Sequence, residues 1–318
     1  MIEFKEISKQ YNHNTAVDDV SFKIPSHQFC VLIGPSGCGK TTTLRTVNKL
    51  VIPSGGKVLI DDRDIDDFPL TELRRKIGYV IQTIGLFPHM TVEKNISVVP
   101  RLLKWSREKI RRRVSEMLEL VGLNPDQYSK KSASELSGGE AQRVGVARAL
   151  AGDPPILLMD EPFGAVDPIN REVLQESFMR IQRELKKTIV FVTHDMDEAL
   201  KMADIVAVMQ QGRLIQFDTP LNILSQPKNA FVKSFFGNDR VLKRLAMMNA
   251  LDYIIDKESG SALRYTVEKE ETFSLKDALT RLLEEQTETI RVKDVRSGKT
   301  GLITLEMIKQ FAVDDDSG

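Results

Sequence analysis

The sequence predicts an α/β protein built on a parallel sheet, with a helical insertion and a smaller α+β unit towards the C-terminal end. Three observations carry that prediction. Phe29-Cys30-Val31-Leu32-Ile33 is a continuous apolar run, as expected of a strand covered on both faces, and a glycine-rich turn and a Thr-rich helical start follow it at once. Similar runs at 156–159 and 188–193 each end in polar residues. Between the first and second of these runs, Ile110, Val114, Met117, Leu118 and Val121 fall on one helical stripe behind a Ser106 N-cap.

The flanking elements follow in order. Residues 3–7 and 17–24 alternate like half-buried strands, and a helical subdomain occupies about 93–150. Ile205 to Met209 and Arg213 to Phe217 flank Gln210-Gln211-Gly212 as a hairpin. After Phe236-Gly237 the chain becomes densely charged, which divides it into 1–236 and 237–318. In the second part Ser274 caps a helix whose Leu275, Ala278, Leu279, Leu282 and Leu283 form one face. Ile290 and Val292 then alternate with Arg291 and Lys293, and Gly298 marks a turn before Leu302-Ile303, so a βαββα-like unit is expected. The final Asp314-Asp315-Asp316 run reads as a solvated tail.

Composition limits the function. At about 150 residues per domain, 318 residues fit two domains. Lys+Arg and Asp+Glu both total 45, which removes any overall basic field for holding nucleic acid or anionic lipid. Cys30 and Cys38 offer neither a disulfide framework nor metal-ligand spacing and suit a reducing cytoplasm. The charged, alternating N-terminus is no signal peptide, and no apolar stretch reaches the roughly 20 residues that span a bilayer.

Three motifs carry chemistry. Gly34-Pro35-Ser36-Gly37-Cys38-Gly39-Lys40-Thr41 matches the phosphate-loop pattern between a buried strand and a helix. Its glycines let backbone N–H groups turn towards phosphate oxygens, Lys40 neutralises the terminal phosphates, and Thr41 can ligate Mg²⁺. Ile156-Leu157-Leu158-Met159-Asp160-Glu161 delivers two carboxylates at a strand end, Asp160 for Mg²⁺ and Glu161 for orienting and deprotonating an attacking water. Leu136-Ser137-Gly138-Gly139-Glu140 opens a helix and bares backbone donors at its positive end, a second phosphate-binding surface.

With that third motif the first 236 residues resemble the ATP-binding cassette (ABC) family, whose signature LSGGQ meets the γ-phosphate of ATP held in the partner subunit's phosphate loop. The resemblance implies a P-loop NTPase fold of the ABC type with its helical subdomain, and ATP and Mg²⁺ as cofactors. It makes Tyr11 the adenine-stacking aromatic, Gln82 the Q-loop residue and a further Mg²⁺ contact, Ala165-Val166-Asp167 the D-loop and His194 the switch histidine. Residues 34–41 with Thr42, and Ser137, Gly138, Gly139 and Asp167, then surround nucleotide, with Glu161, His194 and Gln82 catalytic.

KIGYVIQTIGLFPHMT at 76–91 and VVPRLLKW at 98–105 are similar to importer cassettes that take up glycine betaine, carnitine or choline. In such importers a short helix of the membrane subunit enters the surface after the Q-loop, here Leu86-Phe87-Pro88. Residues 272–311 resemble a single cystathionine-β-synthase (CBS) repeat, and Glu140 stands where the signature usually has Gln. The implied protein is a peripheral ATPase on the cytoplasmic face of the membrane. It pairs head to tail with a second copy of itself, serves integral-membrane permease subunits, depends indirectly on an extracytoplasmic substrate-binding protein and needs no nucleic acid. The alternatives are a soluble cassette ATPase acting on DNA or ribosomes, and a ligand-sensing module with a vestigial ATPase.

Overall fold

The computed structural model describes residues 1–82, 85–164, 168–254, 266–269, 273–294 and 300–313, and its chain divides into two compact units, Met1–Pro220 and Leu221–Gly318. In the first unit β1 (Ile2–Tyr11) and β2 (Asn14–Ile24) pair antiparallel. The chain then enters β3 (Phe29–Ile33) and returns through β4 (Gly55–Ile60) and β5 (Arg63–Asp64), which extend the first sheet beyond β1. A second sheet gathers β6 (Ile77–Val80), β7 (Ile156–Asp160), β8 (Thr188–Thr193), β9 (Ile205–Gln210) and β10 (Arg213–Asp218) around β3, in the order β10-β9-β3-β8-β7-β6. All neighbours in it run parallel except the β9–β10 hairpin. That hairpin turns on Gln211 and Gly212, at φ 48° and 82°, the left-handed pair that a two-residue turn between twisted strands requires.

Every residue of β3, β7 and β8 is buried, which explains their unbroken apolar runs. Cys30, Leu32, Val190 and Val192 pack with Ile2, Phe4, Val20 and Phe22 of the antiparallel sheet in one core, where the Phe4 and Phe22 rings stack at 4.4 Å. Other side chains of these strands meet aromatic partners: Phe191 lies 5.6 Å from both Phe29 and Phe163. Between β6 and β7 stand the helices Val92–Ile96, Val98–Leu102, Arg107–Leu120, Pro125–Tyr128 and Gly138–Ala151. Ser106 caps the third of these by accepting the Lys109 N–H, and Ile110, Val114, Met117 and Leu118 are buried along its stripe.

The second unit contains the helix Arg240–Met247 and then β11 (Thr266–Lys269), the helix Leu275–Glu284, β12 (Thr289–Asp294), β13 (Thr300–Thr304) and the helix Leu305–Val313. That order is βαββα, with β12 parallel to β11 and antiparallel to β13. Leu245, Phe273, Leu275, Ala278, Leu282, Ile290, Val292 and Ile303 form its core. Leu221 and Val241 pack against that core, so the unit starts ahead of the Phe236-Gly237 turn where the charge density changes. Shared apolar contacts, not composition, draw the boundary. Ser274 and Asp277 form a capping box at the start of the helix Leu275–Glu284, as its sequence suggests. Leu283, however, is 63% exposed: at about 100° per residue it falls at the edge of the stripe through Leu275, Ala278, Leu279 and Leu282 and turns to solvent. Gly298 and the 314–316 tail lie outside the described residues.

Phe191 is fully buried between two other aromatic rings, so Phe191→Ala is expected to cost about 3–5 kcal/mol, read as a lower denaturant midpoint for the first unit.

Candidate functional site

The C-terminal ends of β3, β6, β7 and β8 share one edge of the parallel sheet, where an open α/β sheet binds ligands. Ser36, Gly37, Gly39, Lys40, Thr41 and Thr42 line a cavity of about 420 Å³ there, together with Ala16, Gln82, Glu161 and His194. The loop after β3 has no room for larger residues at two of its glycines. Gly34 and Gly39 hold φ +154° and +102°, and a Cβ on them would meet Met209 O at 2.1 Å and Ala16 O at 2.4 Å. The Lys40 ammonium donates to Gly34 O at 2.7 Å and Pro35 O at 2.9 Å, so it is folded into the crown of the loop. Cys38 is buried beneath it; burial pushes its thiol pKa up, partly opposed by the Lys40 charge.

Asp160 closes β7 and is fully buried. The Thr41 hydroxyl donates to its Oδ1 at 2.7 Å, while Oδ2 accepts Arg45 Nη2 at 3.0 Å and Tyr79 OH at 3.4 Å. Arg45 Nε also donates to Tyr79 OH at 3.2 Å, and that hydroxyl's pKa is raised, burial being the largest cause. A hydroxyl and a carboxylate converging on one point are hard oxygen donors of the kind Mg²⁺ takes. Sequence reasoning missed Arg45 and Tyr79. Arg45 sits one helical turn after Thr41 and was open to an i,i+4 argument, but Tyr79 reaches Asp160 from a neighbouring strand.

Glu161 leaves the strand at φ +45°, a costly conformation for a side chain with a Cβ, and its N–H is held by Val192 O at 3.0 Å. This bend brings its Oε2 to 3.1 Å from Gln82 Nε2 and 3.4 Å from His194 Nδ1. A carboxylate placed so, beside a phosphate-binding loop, can accept a proton from water. His194 itself is set by the next residues: Thr193 Oγ1 donates to Glu198 at 2.6 Å, and Asp195 caps the helix Met196–Met202. Burial raises the Glu198 pKa.

Ser137, Gly138 and Gly139 do not line this cavity. They open the helix Gly138–Ala151, where Ser137 and Glu140 form a capping box. Tyr11 ends β1, is 47% exposed, and also lies off the cavity, with the Lys9 ammonium 4.9 Å above its ring. Asp167 is outside the described residues. One chain therefore brings together the loop, Asp160, Glu161, Gln82 and His194, and leaves Tyr11 and the signature turn apart.

The Tyr128 hydroxyl, 2.5 Å from Glu140 Oε1, is the largest influence holding that carboxyl well below the usual range, at about 2, with the Ser137 N–H and the Lys131 charge adding to it. Stability from this cap is therefore present above the ordinary carboxylate value of 4.5 and is lost as pH falls through about 2. An NMR titration should place the Glu140 midpoint near 2, and Tyr128→Phe should raise it.

Known proteins give the same reading. The ABC transporter family model matches residues 17–164. The osmoprotectant import ATP-binding protein OsmV of Salmonella typhimurium is 49% identical over 282 residues, 87% of this chain and 74% of that protein. The glycine betaine/carnitine/choline transport ATP-binding protein OpuCA of Bacillus subtilis is 45% identical over 311 residues, 98% of this chain and 80% of that protein. Among solved structures, a dimeric post-hydrolysis state of the ATP-binding cassette MJ0796 with ADP and Pi aligns at TM-score 0.64 and 33% identity, over 69% of this chain and 99% of that one. A phosphate loop, a hydroxyl paired with a buried carboxylate and a signature turn, on a chain with these relatives, make this protein an ATP-binding, ATP-hydrolysing member of the ABC transporter family.

Proposed function

We propose that the chain energises uptake of a quaternary-amine osmoprotectant such as glycine betaine, carnitine or choline, working as a head-to-tail pair on the cytoplasmic face of a membrane permease. The observation that carries this reading is the extent of the similarity to OpuCA, which runs through the second unit as well as the nucleotide cavity. No helix among the described residues is long and apolar enough to cross a membrane, so translocation falls to permease subunits, supplied by an extracytoplasmic binding protein. Phe87, 40% exposed, lines a cavity of about 310 Å³ with Val98 and Val99 and with Arg74, Arg75 and Arg148, a mixed apolar and cationic seat for a permease helix.

In the proposed reaction the phosphate loop of residues 34–42, through the backbone N–H groups of every residue but Pro35, and the Lys40 ammonium bind the ATP phosphates, and Tyr11 stacks on adenine. Thr41, Asp160 and Gln82 would hold Mg²⁺, whose charge offsets that of the phosphate oxygens when bound. Glu161 takes the proton of the attacking water, and His194, beside it, steadies the γ-phosphate. Ser137, Gly138 and Gly139 reach that phosphate from the second copy, which accounts for their place outside the cavity of a single chain, and Asp167 contributes at the junction of the two copies. The 237–318 segment, with its CBS-like βαββα order, regulates transport or adds to the pairing.

Glu161→Gln keeps the hydrogen-bonding size of the side chain and removes the proton acceptor. Steady-state hydrolysis should fall by at least about a hundredfold while ATP binding persists; wild-type turnover would remove Glu161 from that role. The substrate class is tested by uptake of labelled glycine betaine, carnitine and choline in cells with and without this subunit. Uptake of at least one should collapse without it, and unchanged uptake of all three would reject the class.

A further inference from the structure

The signature turn carries a side-chain network that the nucleotide cavity does not use. Tyr128, at the end of the short helix Pro125–Tyr128, is held in place by Asn124, which caps that helix. Its hydroxyl donates to Glu140 Oε1 at 2.5 Å. The other carboxylate oxygen accepts the Ser137 N–H at 2.8 Å, and Ser137 Oγ in turn accepts the Glu140 N–H at 3.3 Å. The Lys131 ammonium lies 4.1 Å from the Tyr128 ring. Both oxygens of Glu140 are thus engaged, one by Tyr128 and one by Ser137.

The consequence falls on Ser137. A serine hydroxyl can donate or accept, but here its oxygen is already used as an acceptor by the helix N-terminus, which leaves its hydrogen to be given outward. The cost is a carboxylate close to a surface meant for phosphate, and the Tyr128 hydroxyl on its other oxygen and the Lys131 charge offset it. Removing the Tyr128 hydroxyl frees Oε1 and lets the carboxylate swing away from the Ser137 N–H.

We propose that Tyr128 is a positioning residue of the ATPase cycle, acting through Glu140 to keep the Ser137 hydroxyl as a donor for the γ-phosphate of ATP held by a second copy of this chain. The inference rests on the composite-site reading above.

The test uses the full chain carrying E161Q, in which ATP should be held with turnover slowed at least about a hundredfold, and reads the ATP concentration for half-maximal pairing by light scattering. Adding Y128F should raise that concentration about tenfold, the size of a charge-assisted hydrogen bond. ATP binding measured on the single chain at low protein concentration should stay unchanged, because Tyr128 is off its own cavity. In the E140Q background, where no charge needs holding, Y128F should shift pairing less than about twofold. An equal shift in both backgrounds, or none in either, overturns the inference. S137A separates the two layers: if it weakens pairing while Y128F does not, only the Tyr128 role fails. If it leaves pairing untouched, the composite site and this inference fail together.

Discussion

The fully buried carboxylate of Asp160 is the constraint around which the first unit is organised. An isolated charge at the end of a dry strand is too costly to keep unless oxygen and nitrogen partners surround it. Thr41 and Arg45 supply two of them from the helix that follows the phosphate loop, and Tyr79 supplies a third from β6. Compensating one charge thus ties three sequence-distant segments to one point. The geometry that makes the charge tolerable is also the geometry that presents hard oxygen donors beside a phosphate loop.

From that anchor the rest of the cavity follows by strand adjacency. β8 lies between β3 and β7, so His194 leaves the sheet next to Glu161, and β6 brings Gln82 from the other side. The left-handed turn at Glu161 converts a strand residue into a side chain that faces its neighbours across the cavity. Such a conformation persists because the surrounding sheet over-determines it. The signature turn, in contrast, is organised by local capping on the helical insertion and does not line the cavity of the same chain.

The departure from the usual signature at Glu140 illustrates how a charge is absorbed locally. A Gln at that position would leave Tyr128 with a neutral acceptor; a carboxylate needs donors, and the turn supplies a hydroxyl, a backbone N–H and a nearby ammonium.

Most of the residues gathered around the phosphate loop were legible in the sequence, because their motifs are contiguous and their backbone requirements are severe. Only glycine fits at positions 34 and 39, and a strand covered on both faces accounts for the five apolar residues 29–33 ahead of the phosphate loop and the four, 156–159, ahead of Asp160. Caps at Ser106 and Ser274 were equally readable, since each acts within three residues of itself. What the sequence alone could not decide is what depends on non-local distance. Tyr79 and Tyr128 gain their partners across strands or between helices, where no local spacing announces them. The start of the second unit at Leu221 and the solvent-facing Leu283 were settled by which apolar side chains share a core, a property of the packed chain that periodicity and charge density only approximate.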